Sequence, residues 1–430
     1  MINVRIMTYG CQMNEADSFT LEQQLASIGF GLVDNVESAD VVILNTCSVR
    51  RKAEERIFGQ LGHLKSEKAN RDKAFVIGVI GCMAKGAKEE LIKRAPYVDF
   101  LCSPDEVNLV PEKLLSIFGL SADNAKANHQ TVLPGDPFPF KRYIPIMRGC
   151  NNYCTYCIVP YVRGRERSVD LDSVKGQLDL YNTQGVLEVT LLGQNVNSYS
   201  SHGLEFPGLL SKLCEMSPDV GFRFMTSHPK DISDDLIDVM AKYDNVLPHL
   251  HLPMQSGSSG VLEKMNRKYT SEHYLDRIHR LRDSIEDIAI TTDIICGFPG
   301  ETEAQFEETI NIVKEIRFDS AFTFYYSVRE GTAAAKFDGL LPREERKARL
   351  QRLIDVQQKI SKEVNARHLG QELSVVVEQV SRRDEAVMAG RTGHNKTILF
   401  PGDKSLIGTR VKVKCTKTAP WTLFGEIITP

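Results

Sequence analysis

The chain has 430 residues, more than one ordinary hydrophobic core accommodates, so two or three domains are expected. Hydrophobic residues make up 42% and charged residues 25% of the sequence, and no apolar run is long enough to cross a bilayer, so we expect no membrane contact. The net charge of −3 argues against a uniformly basic nucleic-acid-binding protein. The N-terminal stretch lacks a signal-peptide pattern, and we expect a cytoplasmic protein whose ten cysteines stay reduced.

The first segment, 1–120, alternates short apolar runs with helical patterns, which predicts an open parallel α/β sheet domain. The predicted strands span 4–10, 40–46, 74–81 and a shorter 98–102.

Cys11, Cys47 and Cys82 directly follow the first three of these strands. Ligands of open α/β sheets bind beyond the carboxyl ends of the strands, so the three thiolates are expected to converge there. A single strand-terminal cysteine is most simply a buried packing residue, which is the alternative interpretation here. Three strands in succession, each followed directly by a cysteine, favour a metal site.

Residues 121–141 are polar and rich in proline, which predicts a linker. A second series of strands and helices follows in a domain at 142–367 and predicts an open, partial (β/α)6 barrel with its active face at the carboxyl ends of the strands. The predicted strands are 143–149, 188–193, 222–226, 246–253, 289–297 and 320–328. The segment ends in an amphipathic helix at 342–367, whose charges we interpret as a solvated face.

The last segment, 368–430, reads as short strands separated by turns and predicts a small β-barrel. It holds nine Lys and Arg against six Asp and Glu, which hints at a polyanionic partner. Arg410, Lys412 and Lys414 alternate along one strand near Trp421 and Phe424, as expected of a surface that binds RNA. Alternatively, at least one of the two aromatic residues fills the barrel core.

A second cysteine triad, Cys150, Cys154 and Cys157, has the compact spacing CxxxCxxC on the loop after the first strand of the predicted partial barrel. Three thiolates can hold a four-iron cluster and leave one iron free for a small molecule, whereas a structural zinc site wants four protein ligands. An accidental or zinc-binding occurrence of the spacing is the alternative.

CxxxCxxC at the start of a partial barrel resembles the radical S-adenosylmethionine (SAM) superfamily. Nearly the whole chain is similar to the methylthiotransferase family within it, and the tail resembles the TRAM RNA-binding domain. The motifs that carry the resemblance are TYGCQMNEADS at 8–18, NTCSVRRKAEER at 45–56, IGCMAK at 80–85, GCNNYCTYCIVPYVRGRERS at 149–168, LLGQNVNSY at 191–199, MTSHP at 225–229, HLPMQSGS at 251–258, MNRKY at 265–269 and DIICGFPGETE at 293–303.

The resemblance implies an enzyme with two 4Fe-4S clusters and S-adenosylmethionine as cofactors. The auxiliary cluster on Cys11, Cys47 and Cys82 carries the sulfur, and the cluster on Cys150, Cys154 and Cys157 cleaves SAM to a 5′-deoxyadenosyl radical. The residues that follow Cys11 and Cys47 resemble those of one set of enzymes within the family. These enzymes add a methylthio group to carbon 2 of N6-isopentenyladenosine next to the tRNA anticodon. The alternatives are threonylcarbamoyl-adenosine or a ribosomal protein as substrate, and a non-catalytic, metal-stabilised RNA-binding protein.

The resemblance also implies partners and SAM-binding residues. The partners are the tRNA anticodon stem-loop, a reductant such as flavodoxin or ferredoxin, and a sulfur donor or iron–sulfur assembly proteins; a monomer is expected. The SAM-binding residues are Tyr156, Gly193, Gln194, Asn195, Ser227, Gln255, Ser256, Arg267, Gly297 and Phe298.

Three further interpretations concern residues to which no cofactor role is assigned. Arg50, Arg51 and Lys52 are placed to hold RNA phosphates, with a solvated helix start as the alternative. The ten histidines show no metal-ligand spacing. The cysteines outside the triads are interpreted as packing residues: Cys102, Cys214, Cys296 and Cys415.

Overall fold

A computed structural model describes residues 1–47, 51–121 and 138–428. Most of the predicted linker, at 122–137, and Arg50 lie outside these residues. The chain forms two compact units, and the first comprises the described part of 1–137 with Arg148–Asn151 and Cys157–Glu166. The second comprises Phe138–Met147, Asn152–Tyr156 and the described residues from Arg167 onward.

The strands are β1 Asn3–Tyr9, β2 Gly31–Leu32, β3 Val41–Thr46, β4 Val76–Gly81, β5 Phe100–Cys102, β6 Lys141–Pro145, β7 Met147–Arg148, β8 Arg167–Ser168, β9 Glu188–Leu192, β10 Ser200–Ser201, β11 Leu204–Glu205, β12 Gly221–Phe224, β13 His249–His251, β14 Ala289–Cys296, β15 Ser320–Tyr325, β16 Glu372–Val380, β17 Val387–Thr392, β18 Thr397–Pro401, β19 Arg410–Thr418 and β20 Leu423–Ile427.

The helices are α1 Gln12–Ser27, α2 Arg51–Ala69, α3 Cys82–Gly86, α4 Lys88–Arg94, α5 Val110–Phe118, α6 Val159–Arg163, α7 Leu171–Thr183, α8 Phe206–Met216, α9 Asp234–Lys242, α10 Ser259–Lys264, α11 Ser271–Ser284, α12 Glu303–Ile316 and α13 Arg343–Asn365. None of the helices in the described ranges combines the length and the apolar character that a bilayer crossing requires.

The first unit is built on a five-stranded parallel sheet in the order β2–β1–β3–β4–β5. All residues of β3 and β4 are buried, as expected for central strands with helices on both faces. Leu21 and Leu25 of α1 pack on one face, and Ile57 and Leu61 of α2 belong to the core on the other. The predicted open α/β domain is confirmed; only the two-residue β2 was too short to predict.

The second unit contains six parallel strands that form the predicted partial barrel. They occur as two sheets, β12–β9–β6 and β13–β14–β15, joined by a single parallel bridge between Phe222 and Val246. The spatial order therefore follows the chain order, β6, β9, β12, β13, β14, β15, as successive right-handed βα units require.

The C-terminal strands close into a barrel in the order β16–β17–β18–β20–β19. Its interior holds Val375, Val377, Met388 and Phe400. The predicted β-barrel is confirmed, and it includes β17, a strand that lacks a run of β-branched residues and contains Ala389, Gly390 and Arg391.

Polar contacts join this barrel to the partial barrel within the second unit. The buried Arg223 guanidinium donates to the carbonyl oxygens of Thr392 and Gly393, each at 2.8 Å. Lys141 Nζ lies 3.1 Å from Glu188 and contacts Glu378 of β16.

Helix α13 differs from its predicted character, because its buried face is largely polar. Arg349 is only 4% exposed and its Nη1 donates to Glu301 Oε2 at 2.9 Å. Gln357 Nε2 donates to the carbonyl oxygen of Phe318 at 2.8 Å. The charges of this helix are therefore not all solvated, since Arg349 pairs with a carboxylate buried in the same unit.

Candidate functional site

The three strands before Cys11, Cys47 and Cys82 end level with one another. Tyr9 of β1 pairs with Thr46 of β3, and Thr46 pairs with Gly81 of β4. The amide of Cys47 extends the ladder by donating to the carbonyl oxygen of Tyr9 at 3.0 Å. Adjacent parallel strands lie about 4.8 Å apart, so side chains just beyond their level ends share one edge of the sheet.

Two buried asparagines fix the first two cysteine-bearing segments against each other. Asn14 Oδ1 accepts from the backbone nitrogen of Cys11 at 3.3 Å and lies 3.3 Å from Cys11 Sγ. The Asn14 side chain donates to Asn45 Oδ1 at 2.7 Å, and Asn45 Nδ2 donates back to the carbonyl oxygen of Asn14 at 2.9 Å. Both side chains are 0% exposed, so these bonds are shielded from competing water.

The thiols of this edge interact electrostatically. A hydrogen bond from Cys47, aided by the positive charge of Arg163, lowers the pKa of Cys11 to about 6 against the opposing effect of desolvation. Burial raises the pKa of Cys82, an effect that the Arg163 charge partly offsets. Thiolate is the form that binds iron and zinc, so the donor chemistry of the three residues fits a metal cluster.

Arg163, at the end of α6, is the cation of this site. Its guanidinium is 4% exposed, its Nε donates to Cys82 Sγ at 3.2 Å, and its Nη1 lies 3.8 Å from Asp17. Its Nη2 is buried and has no hydrogen-bond partner among the described residues. A buried cation with a spare donor beside thiolates is suited to an anionic group bound there.

Cys150, Cys154 and Cys157 lie on the loop between β7 and α6. By their contacts, Cys150 and Cys157 belong to the first unit and Cys154 to the second. Within the second unit, Arg267 Nη1 donates to Cys154 Sγ at 3.4 Å and to the Tyr156 hydroxyl at 3.5 Å. The structure thus brings Cys154, Tyr156 and Arg267 together, and their shared role in a cofactor site stays a prediction.

Residues after the partial-barrel strands carry buried polar atoms that have no partner in the described part of the chain. They are Asn195 Oδ1 after β9, Ser227 Oγ and His228 Nε2 after β12, and Gln255 Oε1 after β13. Buried polar groups are rarely left unsatisfied, so their clustering at the carboxyl ends of neighbouring strands fits a polar ligand such as the predicted SAM.

His228 was not assigned a role from the sequence, although it lies in the MTSHP motif. Burial, with the nearby positive charges of Arg267 and Lys230, lowers its pKa to about 2, so the ring is neutral. Its Nδ1 accepts from the backbone nitrogen of Lys230 at 3.3 Å, which leaves a proton on the unpartnered Nε2. His228 therefore offers a neutral N–H donor beside Ser227.

The remaining predicted SAM-binding residues are placed at strand ends but already have structural contacts. A Cβ at Gly193 would lie 2.4 Å from Met147 Cγ, and Gly297 adopts a φ of +67°. Ser256 Oγ lies 3.3 Å from Thr309 Oγ1, and Phe298 packs edge-to-face on Tyr326. Gln194 is the second residue after β9. A SAM contact of these residues stays a prediction.

One face of the C-terminal barrel is cationic, as predicted. Arg410, Lys412 and Lys414 are exposed along β19 while the residues between them point inward. Trp421 is 56% exposed and does not fill the barrel core, whereas Phe424 is half-buried. The aromatic and cationic side chains needed to contact RNA are thus on the surface of the barrel.

Sequence reasoning missed Asn14, Asn45 and Arg163. Asn45 gave a usable signal, because a polar residue interrupts the buried strand VVILNT. Arg163 gave none, since its partner Cys82 lies 81 residues away in the sequence.

Three family models match the chain, and they correspond to the parallel sheet of the first unit, the partial barrel and the C-terminal barrel. Residues 3–103 match the uncharacterised protein family UPF0004, residues 144–313 the Radical SAM superfamily and residues 366–428 the TRAM domain.

Curated relatives are similar over nearly the whole chain. The tRNA-2-methylthio-N(6)-dimethylallyladenosine synthase of Parabacteroides distasonis is 44% identical and covers 98% of this chain and 94% of the relative. The synthase of the same name from Moorella thermoacetica is 44% identical, and the match covers 99% of this chain and 98% of the relative. That of Fusobacterium nucleatum is 40% identical and covers the full length of both chains.

Solved structures share the fold at low identity. The cobalamin-dependent SAM radical enzyme OxsB, with aqua-cobalamin and SAM bound, gives a TM-score of 0.55 at 14% identity over 81% of this chain and 56% of that chain. The radical SAM methyltransferase TsrM of Kitasatospora setae, with tryptophan and a SAM analogue bound, gives a TM-score of 0.56 at 12% identity. This match covers 75% of this chain and 73% of that chain. These two likenesses concern the fold alone.

Proposed function

The chain belongs to the tRNA-2-methylthio-N(6)-dimethylallyladenosine synthase family, and from this we propose that it adds a methylthio group to carbon 2 of N6-isopentenyladenosine next to the anticodon of tRNA. It is a radical SAM enzyme and uses SAM and two 4Fe-4S clusters. The observation that carries the site assignment is the level ending of three adjacent parallel strands, each followed by a cysteine.

Cys11, Cys47 and Cys82 would hold the auxiliary cluster. The lowered pKa of Cys11 supports this, because a group with a pKa of about 6 is largely thiolate at neutral pH. Arg163 would offset the negative charge of the ligands, and its spare Nη2 would donate to an anionic sulfur carried at this site.

Cys150, Cys154 and Cys157 would hold the second cluster and leave one iron open. When bound, the two clusters and SAM would supply the sulfur, the methyl group and the radical chemistry needed to replace the hydrogen on carbon 2 of the adenine with a methylthio group. Arg267 would orient this site, since its guanidinium contacts both Cys154 and Tyr156.

The unpartnered atoms at the strand ends would bind SAM. Ser227 Oγ and the neutral His228 Nε2–H can donate to a carboxylate, while Gln255 Oε1 and Asn195 Oδ1 can accept from an ammonium group. Burial strengthens these contacts because water does not compete for them. The other predicted SAM residues, Gly193, Gln194, Ser256, Gly297 and Phe298, would shape the pocket.

The C-terminal barrel would bind the tRNA through the basic face of β19 and Trp421. Loop bases can be splayed out and stacked on aromatic side chains, which suits an anticodon stem-loop. Arg50, Arg51 and Lys52, whose side chains lie outside the described part of the structure, would hold RNA phosphates.

The boundaries 1–120, 121–141, 142–367 and 368–430 remain our proposed domain divisions. We also propose that a flavodoxin or ferredoxin acts as reductant and that a sulfur donor or iron–sulfur assembly protein is a partner. The protein would be monomeric and cytoplasmic.

Nucleoside mass spectrometry of tRNA from cells with and without the protein tests the substrate. Loss of 2-methylthio-N6-isopentenyladenosine with accumulation of its unthiolated precursor is expected, and complementation with a Cys150→Ala variant should not restore it. Persistence of the nucleoside would contradict the proposal and direct attention to threonylcarbamoyl-adenosine and ribosomal proteins.

A further inference from the structure

Two histidines and an aspartate come together in the second unit, far in sequence from both cysteine triads. The ligand atoms of Asp287, His368 and His394 all lie within 4.8 Å of one another. His394 Nε2 is 3.3 Å from Asp287 Oδ2, and the rings of His368 and His394 have centroids 5.1 Å apart. Spacing along the chain does not reveal this arrangement, because the three residues lie on segments that are far apart in the sequence.

His368 has an unused ring nitrogen in this cluster. The side chain is 0% exposed, and its Nε2 has no partner among the residues that the structure describes. Its Nδ1 lies 3.0 Å from Gln371 Oε1, which is an acceptor, so Nδ1 carries the proton and Nε2 the lone pair. Metal-binding histidines characteristically donate their second nitrogen to a carbonyl-type oxygen in this way.

The aspartate is also oriented by a second interaction. Arg367 Nε lies 3.2 Å from Asp287 Oδ1 and so leaves Oδ2 directed to His394. Arg367 and Lys396 both pair with Asp319, at 2.9 Å each, so two carboxylates balance two cations around the cluster. A divalent cation would thus enter a site in which Asp319 offsets part of the positive charge of Arg367 and Lys396.

We propose that Asp287, His368 and His394 form a binding site for a divalent transition-metal ion of the zinc class. Two imidazole nitrogens and a carboxylate oxygen are a ligand set that zinc accepts, with a fourth position for water. Ligands about 2.0–2.1 Å from zinc in a tetrahedral site lie about 3.4 Å apart, so the Asp287–His394 pair already has the required separation.

The ion would connect three elements of the second unit. Asp287 lies in the turn between α11 and β14, His368 follows the end of α13, and His394 lies between β17 and β18 of the C-terminal barrel. A bound ion would tie the C-terminal barrel to the partial barrel and stabilise their contact, because it binds only the folded arrangement. This inference does not rest on the proposed function.

The test uses full-length protein with both clusters reconstituted anaerobically, equilibrated with micromolar free Zn²⁺. Zinc and iron are counted per chain by mass spectrometry, and zinc-edge X-ray absorption identifies the ligands. We expect one zinc per chain with nitrogen and oxygen neighbours at about 2.0–2.1 Å and a higher melting temperature. His394→Gln and Asp287→Asn should lose this zinc with unchanged iron, whereas His279→Gln, at an exposed histidine, should keep it.

Three results would overturn the proposal. They are no zinc in the wild-type protein, zinc with sulfur neighbours at about 2.3 Å, which would place it on the cysteines, or equal zinc in His394→Gln. The His394 and Asp287 variants replace side chains that are not fully buried, and their iron content reports whether they are folded.

Discussion

The side chain of Asn45 both accepts from the Asn14 amide and donates to the Asn14 carbonyl oxygen, in a region from which water is excluded. Asn14 in turn accepts from Cys11, while Asn45 lies two residues before Cys47. The pair therefore sets the relative position of two of the three thiols that we assign to the auxiliary cluster.

Replacing Asn45 with alanine should destabilise the first unit and impair this cluster. Leaving buried partners unsatisfied costs about 1–3 kcal/mol in the free energy of unfolding. Iron per chain should fall from about eight towards about four after reconstitution, as measured by iron analysis and urea denaturation. Asn70→Ala, at an exposed helix end, is the control and should keep both values. Full iron content in Asn45→Ala would contradict the role.

Replacing Arg163 with methionine should make the auxiliary cluster harder to reduce. Removal of a buried positive charge disfavours the more negative, reduced state, and a shift of about 60 mV to lower potential corresponds to about 1.4 kcal/mol for one electron. A redox titration followed by electron paramagnetic resonance measures it, in a background lacking Cys150, Cys154 and Cys157. The exposed Arg165→Met serves for comparison and should leave the potential unchanged. An unshifted potential in Arg163→Met would show that Arg163 does not interact with this cluster.

Cys11 should react as a thiolate in cluster-free, reduced protein. Because its pKa is lowered to about 6, the thiolate persists at neutral pH and is lost only as the pH falls through about 6. The rate of alkylation by iodoacetamide, followed by peptide mass spectrometry, should be half-maximal near that pH. Cys82, whose pKa is raised by burial, should react slowly over the same range. A half-maximum for Cys11 near the ordinary value of about 8.5 would refute the interaction with Cys47.

Alanine variants of two serines should distinguish an effect on SAM binding from an effect on protein stability. Ser227 Oγ has no protein partner in the described chain, so Ser227→Ala should leave the melting temperature unchanged and weaken SAM binding about tenfold. Ser256 Oγ accepts from the backbone nitrogen of Ser258 at 3.2 Å, so Ser256→Ala should lower stability by about 1 kcal/mol. Calorimetry and thermal denaturation measure the two quantities. A loss of stability in Ser227→Ala with unchanged SAM affinity would oppose its assignment to the pocket.

Trp421→Ala should weaken tRNA binding without affecting SAM cleavage in the absence of tRNA. Loss of one stacked base costs about 1–3 kcal/mol, which is about 5- to 150-fold in affinity. Filter binding at fixed salt measures it. Leu369→Ala removes a side chain of similar exposure, 58% against 56%, and should bind tRNA normally. Equal affinity of the two variants would exclude Trp421 from the RNA-binding surface.

The sequence was informative wherever the determining pattern is local. Buried apolar strands followed by cysteine predicted the parallel sheet and the shared edge of Cys11, Cys47 and Cys82. Ser227 and Gln255 were indicated by the family resemblance, and the structure leaves one polar side-chain atom of each without a partner in the described part of the chain.

Contacts between distant segments were beyond prediction. The Arg163–Cys82 bond and the Asp287–His394 contact join residues whose separation in the chain carries no period or spacing to recognise. The polar face of α13 was misjudged for the same reason, because Arg349 has its partner, Glu301, in the turn before α12. A charge pattern shows that a side chain is ionised but not what lies opposite it.

The pairing of Tyr9 with Thr46 and of Thr46 with Gly81 limits how this chain can vary in length. One residue inserted within any of the three strands would advance the following cysteine by about 3.3 Å and reverse the face to which it points. An insertion in the helices or loops that return the chain to the start of the next strand leaves all three cysteines in place. Homologous chains should therefore differ in length between one strand's cysteine and the next strand's first residue, and keep the strands themselves free of insertions and deletions.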